Sequence, residues 1–204
     1  MIKKYLFPVI LMLGLGIVLM LLPPKKTYEE IPPDELLRQV SGNSRFLSAD
    51  LVADRMINSD PSLLLIDVRE SAFYNEFSLP GALNIPLAKI LEQENIEILG
   101  QEGMDIVFYS TGDLLADQAW MICKRKGMND IFVLKGGLNE WFNSFFLLQP
   151  PLETASSEEI SLYQFRNGVK QHFTGGEVQT QANPATEKVI VAPRQKKAAA
   201  EGGC

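Results

Sequence analysis

Few side chains in this sequence have types and spacings suited to chemistry, and the densest group lies between Ile106 and Trp120. That stretch, IVFYSTGDLLADQAW, is a β-branched and aromatic run, a short turn, and an amphipathic continuation. A strand that feeds a tight loop into a helix N-terminus aims unpaired N–H groups and the positive end of the helix dipole at one point, which suits an anion. The loop reads Ser110, Thr111, Gly112, Asp113, Leu114, Leu115, with a hydroxyl at its mouth and no Lys or Arg before Lys124. A serine hydroxyl needs an adjacent base to act as a nucleophile. The single histidine, His172, lies far downstream, and Asp113 opposes an anion held in the loop. The architecture is that of a catalytic loop, while the residue types argue against catalysis.

Two further groups merit attention. Asp67 and Arg69 close an apolar strand; charged residues so placed tie loops together by hydrogen bonds more often than they exchange protons, and loop support is the role read here. Cys204 follows two glycines on a polar segment, where a thiol is exposed and sweeps a wide volume. It is a candidate carrier thiol for sulfur or a mixed disulfide, the alternative being an incidental cysteine. Cys123, three residues after Trp120 in AWMICKRKG, reads as a small buried hydrophobe. Lys124, Arg125 and Lys126 suit the C-terminal end of that helix's dipole.

The elements that must position these residues are legible on either side. Leu63–Leu87, LLLIDVRESAFYNEFSLPGALNIPL, is a buried-type strand ending in Asp67-Val68-Arg69, then a helical turn, a Pro-Gly turn and a short strand. Asp130–Phe142, DIFVLKGGLNEWF, is an apolar strand ending in Gly136-Gly137, followed by a helix carrying Trp141. Strands alternating with helices predict an α/β domain with a mainly parallel central sheet. The Ser110 loop then sits at the carboxyl edge, where such folds place ligands.

Taken together, the D-x-R strand end, the P-G-A-x-N-I-P element and the strand-G-G-x-x-x-W close resemble the rhodanese-like family over about Ser48 to Phe146. The resemblance implies a three-layer domain whose loop after the central strand begins with a persulfide-forming cysteine, its charge held by loop N–H groups and often an arginine. Laid on this sequence without gaps, the cysteine position falls on Ser110 and the arginine position on Leu115. Ser78 stands near the histidine the family usually carries before the Pro-Gly turn. The fold carries over, and sulfur transfer at Ser110 does not.

At 204 residues and 46% hydrophobic content the chain can form one cored domain with extensions. A formal net charge of −6 without a large basic cluster excludes nucleic acid as the expected partner. Two cysteines make no disulfide framework, and one histidine without neighbouring ligands makes no metal site. No metal and no cofactor are expected.

Tyr5 to Leu22 is uncharged and of bilayer-spanning length, flanked by Lys3-Lys4 and Lys25-Lys26 and stopped by Pro23-Pro24. No small-x-small cleavage site follows it, so an uncleaved transmembrane anchor is expected, with the lipid bilayer as partner through residues 5–22. The lysines and amine ahead of the span slightly outweigh those behind it, which places the soluble domain on the outer, periplasm-like side. The expected organisation is an anchor over 1–24, a stalk over 25–47, the rhodanese-like domain over 48–148, a helical extension over 149–174 and a flexible tail over 175–204. Within it, Ser48 caps a short helix, and Ser156-Ser157-Glu158-Glu159 is a capping-box signature opening a helix to about Phe173. That helix either packs back on the domain or pairs with a partner.

The functional expectation is a membrane-anchored, catalytically inactive rhodanese-like module that binds a protein partner or ligand at or near the membrane. The alternative is a sulfur-relay or thiol-redox protein using Cys204. A phosphatase on the same fold meets the same missing thiolate.

Overall fold

Along Asp105–Tyr109, successive side chains point to opposite sides of a sheet and divide the core in two. Ile106 and Phe108 enter one apolar cluster, and Val107 and Tyr109 the other. The computed structural model describes residues 3–21 and 30–175. Its strands are β1 (Phe46–Leu47), β2 (Leu63–Asp67), β3 (Leu83–Asn84), β4 (Asp105–Tyr109) and β5 (Ile131–Leu134). They form one five-stranded sheet in the order β1-β5-β4-β2-β3, with every pairing parallel. The parallel α/β architecture read from the sequence is therefore present.

The helices are α1 (Lys3–Leu21), α2 (Pro33–Ser41), α3 (Ala49–Ile57), α4 (Ser71–Glu76), α5 (Gln93–Leu99), α6 (Leu114–Arg125), α7 (Gly137–Phe145) and α8 (Ser157–Thr174). Two layers cover the sheet. Leu36 and Val40 of α2, Leu99 of α5 and Trp120 and Cys123 of α6 pack against one face. Val52 of α3, Trp141 and Phe145 of α7 and Val169 of α8 pack against the other. Ser48 caps α3 by accepting from the Leu51 N–H at 3.2 Å, and α8 opens with the capping box between Ser156 and Glu159.

The described part of the expected stalk is a layer of the domain. The Ile31 N–H donates to the Arg125 carbonyl at 3.2 Å, and the Arg125 guanidinium donates back to the Ile31 carbonyl. Arg45 pairs with Asp117 at 2.6 Å and lies over the Phe46 and Trp120 rings. The polar composition of 30–47 hid a narrow apolar stripe, Leu36, Val40, Phe46 and Leu47, which suffices for one edge strand and one covering helix. Of the two expectations for the helical extension, packing back is the arrangement seen. Arg166 pairs with Asp50 of α3 at 2.7 Å, and Phe173 meets Trp141 edge to face at 5.6 Å.

Among the described residues, no helix is long and apolar enough to cross a membrane. The span expected over Tyr5–Leu22 is thus not supported as such. Its segment forms the 19-residue helix α1, whose described apolar side chains, among them Ile10, Met12, Leu15 and Met20, are exposed.

Candidate functional site

The sequence-predicted loop leaves the carboxyl end of β4 and runs into α6. Ser110 is only 2% exposed. Its hydroxyl donates to the Gly112 carbonyl at 2.6 Å. The hydroxyl thus serves as a donor to a carbonyl two residues on rather than as a cap for backbone N–H groups. No histidine, lysine or carboxylate oxygen is among its hydrogen-bond partners.

The start of α7 holds the loop from behind. Leu138 N–H donates to the Ser110 carbonyl at 2.9 Å and Asn139 N–H to the Thr111 carbonyl at 3.0 Å. Asp113 contributes as well, its Oδ1 accepting the Gly136 N–H. Its carboxylate is thus committed to the neighbouring turn. Gly136 and Gly137 both have positive φ, and a Cβ on Gly137 would lie 2.4 Å from the Ser110 carbonyl oxygen. Only glycine allows α7 to approach so closely. With the loop carbonyls turned toward α7, no N–H from Thr111 to Ala116 has an acceptor among the described residues. The backbone of an anion cradle is in place, and an acceptor ligand would satisfy it.

Asp67 and Arg69 form a second, buried layer beneath the same edge. Arg69 Nη2 reaches Asp67 Oδ2 at 2.6 Å and the Phe77 carbonyl at 2.6 Å. The Asp67 carboxylate also accepts the Arg69 N–H at 3.0 Å. The Asp67 side chain is fully buried, and the hydrogen bond to it raises the pKa of the Arg69 guanidinium. Tyr109, at the end of β4, accepts the Leu79 N–H at 3.1 Å. Burial, partly offset by that bond, pushes its phenol well above the ordinary tyrosine range. These contacts are those of a scaffold that fixes loops.

Sequence reasoning missed Asn84. Its amide donates to the Asp67 and Arg69 carbonyls at 3.0 and 2.9 Å, while its carbonyl accepts the Ser71 hydroxyl at 2.7 Å. The signal was present in the P-G-A-x-N-I-P element, since a half-buried Asn within a short strand has four hydrogen bonds to place.

The rim of the edge is apolar. Leu114 and Leu115 are 71% and 38% exposed. Phe77, held through its carbonyl by Arg69, stacks at a tilt on Phe142 of α7 with centroids 5.0 Å apart, and both rings are partly exposed. A cavity of about 460 Å³ lies elsewhere, between the end of α7 and α8, lined in part by Leu147, Leu152, Tyr163 and Arg166.

The remaining candidates sit apart. Cys123 is buried in α6, and burial pushes its thiol up to about 12. His172 is on α8 with its ring against Phe173. No cluster of three or more potential metal ligands occurs among the described residues. Cys204 lies outside the described residues.

Residues 48–144 match the family model described as the rhodanese-like domain. The chain is similar to Centrosomal protein of 41 kDa from Gallus gallus, with 30% identity over 96 residues, 44% of this chain and 26% of that protein. It is also similar to an uncharacterized protein of Buchnera aphidicola subsp. Baizongia pistaciae, with 29% identity over 92 residues, 44% of this chain and 63% of that protein. It thus spans about a quarter of the centrosomal relative. A solved structure of a rhodanese-like domain protein from Staphylococcus aureus superimposes with a TM-score of 0.43 at 18% identity, covering 48% of this chain and 90% of that one.

Proposed function

We propose that the chain is a membrane-tethered binding module built on the rhodanese-like fold that residues 48–144 match, without sulfurtransferase chemistry at its loop. The observation that carries this reading is the pairing of the Ser110 hydroxyl with the Gly112 carbonyl. Ser110 stands where the family resemblance puts the persulfide-forming cysteine. An oxygen there cannot hold a sulfane sulfur. With its proton given to a carbonyl and no base beside it, it is not an activated nucleophile either.

What persists is a preformed surface. The unpaired N–H groups of Thr111–Ala116 offer a shallow polar cradle, and Leu114, Leu115, Phe77 and Phe142 surround the same edge with exposed apolar area. Exposed aromatic and aliphatic side chains around a few convergent polar groups suit recognition of a protein segment or small ligand. Leu115 occupies the position where the resemblance expects a cation, so this surface favours apolar contact over charge pairing.

The tether reading rests on α1. A helix that is apolar on every side, rather than along one stripe, has a core or a bilayer as its natural surroundings. Residues 5–22 are a run of consecutive uncharged positions bracketed by lysine pairs, of about the length that a bilayer-spanning helix needs. The leading Lys3 and Lys4 favour an inside N-terminus, with the domain on the outer side.

Serine-directed fluorophosphonate labelling of the full-length chain, with Ser110→Ala in parallel, tests the loop. The module reading expects the two proteins to label equally. Labelling that Ser110→Ala abolishes removes the reading. Alkaline extraction of membranes tests the tether, which expects the chain to stay with the lipid.

A further inference from the structure

Parallel strands put all five carboxyl ends at one edge of the domain, and the chain enters at the other. The Ser110 loop lies at the carboxyl edge. From there α6 runs back for 12 residues, about 18 Å, to Arg125 at the amino edge. There the segment leading from α1 is clamped. The Ile31 N–H and carbonyl both bond to Arg125. Glu30 pairs with Lys126 at 2.6 Å and with Arg125 at 3.4 Å. Immediately afterwards α2 is pinned by Leu36 and Val40 against the core. The point of attachment is therefore fixed by backbone, ion-pair and apolar contacts together.

Between the end of α1 and Glu30 stand residues 22–29. Fully extended, that spacer reaches no more than about 30 Å. A domain of this size is about 35–40 Å across, so turning the loop edge toward the bilayer would require the spacer to run straight along its flank. The amino edge also carries Lys124, Arg125 and Lys126, with Glu30 bound to the latter two. Asp60 and Asp105 at that edge are both paired with Arg55, at 2.7 and 2.9 Å. Exposed Asp34, Glu102 and Asp130 share this edge with the cations, so the orientation is set by the clamped attachment and the short spacer rather than by charge.

We infer that the domain is held with the amino edge of its sheet against the bilayer, so that the Ser110 loop and its apolar rim face away from the membrane. This rests on the tethered reading of α1 and adds to it an orientation. The partner of the loop edge would then approach from the aqueous side, and the bilayer would be the neighbour of the Arg125–Asp130 turn.

The test uses the full-length chain carrying Cys204→Ser, in which buried Cys123 is left unlabelled. Single cysteines at Asn129→Cys (amino edge) and Leu114→Cys (loop) carry a fluorescent donor. The protein is reconstituted into vesicles of zwitterionic and anionic phospholipid containing a headgroup acceptor dye, and flotation is measured first. The expected result is flotation, with energy transfer from position 129 at least about twofold greater than from position 114, given their separation of roughly 18 Å. Failure to float overturns the tether and the orientation with it. Flotation with equal transfer, or greater transfer from position 114, overturns the orientation and leaves the tether standing. Unchanged tryptophan emission from buried Trp120 and Trp141 establishes that each variant is folded.

Discussion

The backbone of Gly137 lies so close to Ser110 that a methyl group on it would sit 2.4 Å from the Ser110 carbonyl oxygen and 2.8 Å from that of Gly112. This contact joins the loop after β4 to the start of α7 and turns the loop carbonyls away from the rim. Gly137 also has φ +57, a conformation that costs an L-residue about 1–2 kcal/mol before any clash. Gly137→Ala is therefore expected to lower stability by at least about 2 kcal/mol, because the obstacle is backbone and cannot rotate aside. Denaturant unfolding followed by tryptophan emission checks this. A loss under about 0.5 kcal/mol would mean that the close approach is not a real constraint.

Asp67 and Arg69 support the loops around that edge as a buried pair. Replacing Arg69 by Met leaves a fully buried carboxylate without its cation, held by the backbone N–H of residue 69 and the Tyr109 phenol, and the expected loss is about 3–5 kcal/mol. Adding Asp67→Asn is expected to restore part of it, since the stranded charge is then gone. Unfolding midpoints of the two single variants and the double variant give the comparison. Strict additivity would show that the pair is not coupled.

At the opposite edge, Asp60 provides a pH signature. The Ser62 hydroxyl and N–H, and then Arg55, lower its pKa from 3.8 to about 2. A carboxyl with a depressed folded-state pKa contributes stability that is fully present above its unfolded value and is lost as pH falls through the folded one. Stability should therefore decline between about pH 4 and pH 2 from this group. Asp60→Asn should flatten that part of the profile while leaving the neutral region parallel. Acid unfolding of the two proteins measures it, and identical slopes would contradict the assignment.

How much of this was legible beforehand follows from the physics of each element. β2, β4 and β5 are continuous apolar runs closed by turn residues, so their existence and parallel arrangement could be read directly. The Ser156 capping box was equally visible, because its residues signal through the backbone they bond. Residues 30–47 were harder. Their tie to the domain depends on Arg125 and Asp117, more than seventy positions away, and on an apolar stripe too short to stand out. The loop residues were found from sequence, but the direction of the Ser110 hydrogen bond was not. It depends on carbonyls turned by the approach of α7, which no local pattern encodes. Asn84 was quoted in a motif and its role overlooked, since its partners lie between the end of β2 and the start of α4, more than twelve positions earlier.

Transfer of sulfur from thiosulfate to cyanide by the full-length chain in vesicles tests the central claim most directly, with Ser110→Ala and Cys204→Ser measured beside it. The account predicts that the unmodified chain and Ser110→Ala form thiocyanate at the same rate as protein-free vesicles. Turnover above that background that vanishes in Ser110→Ala would contradict it.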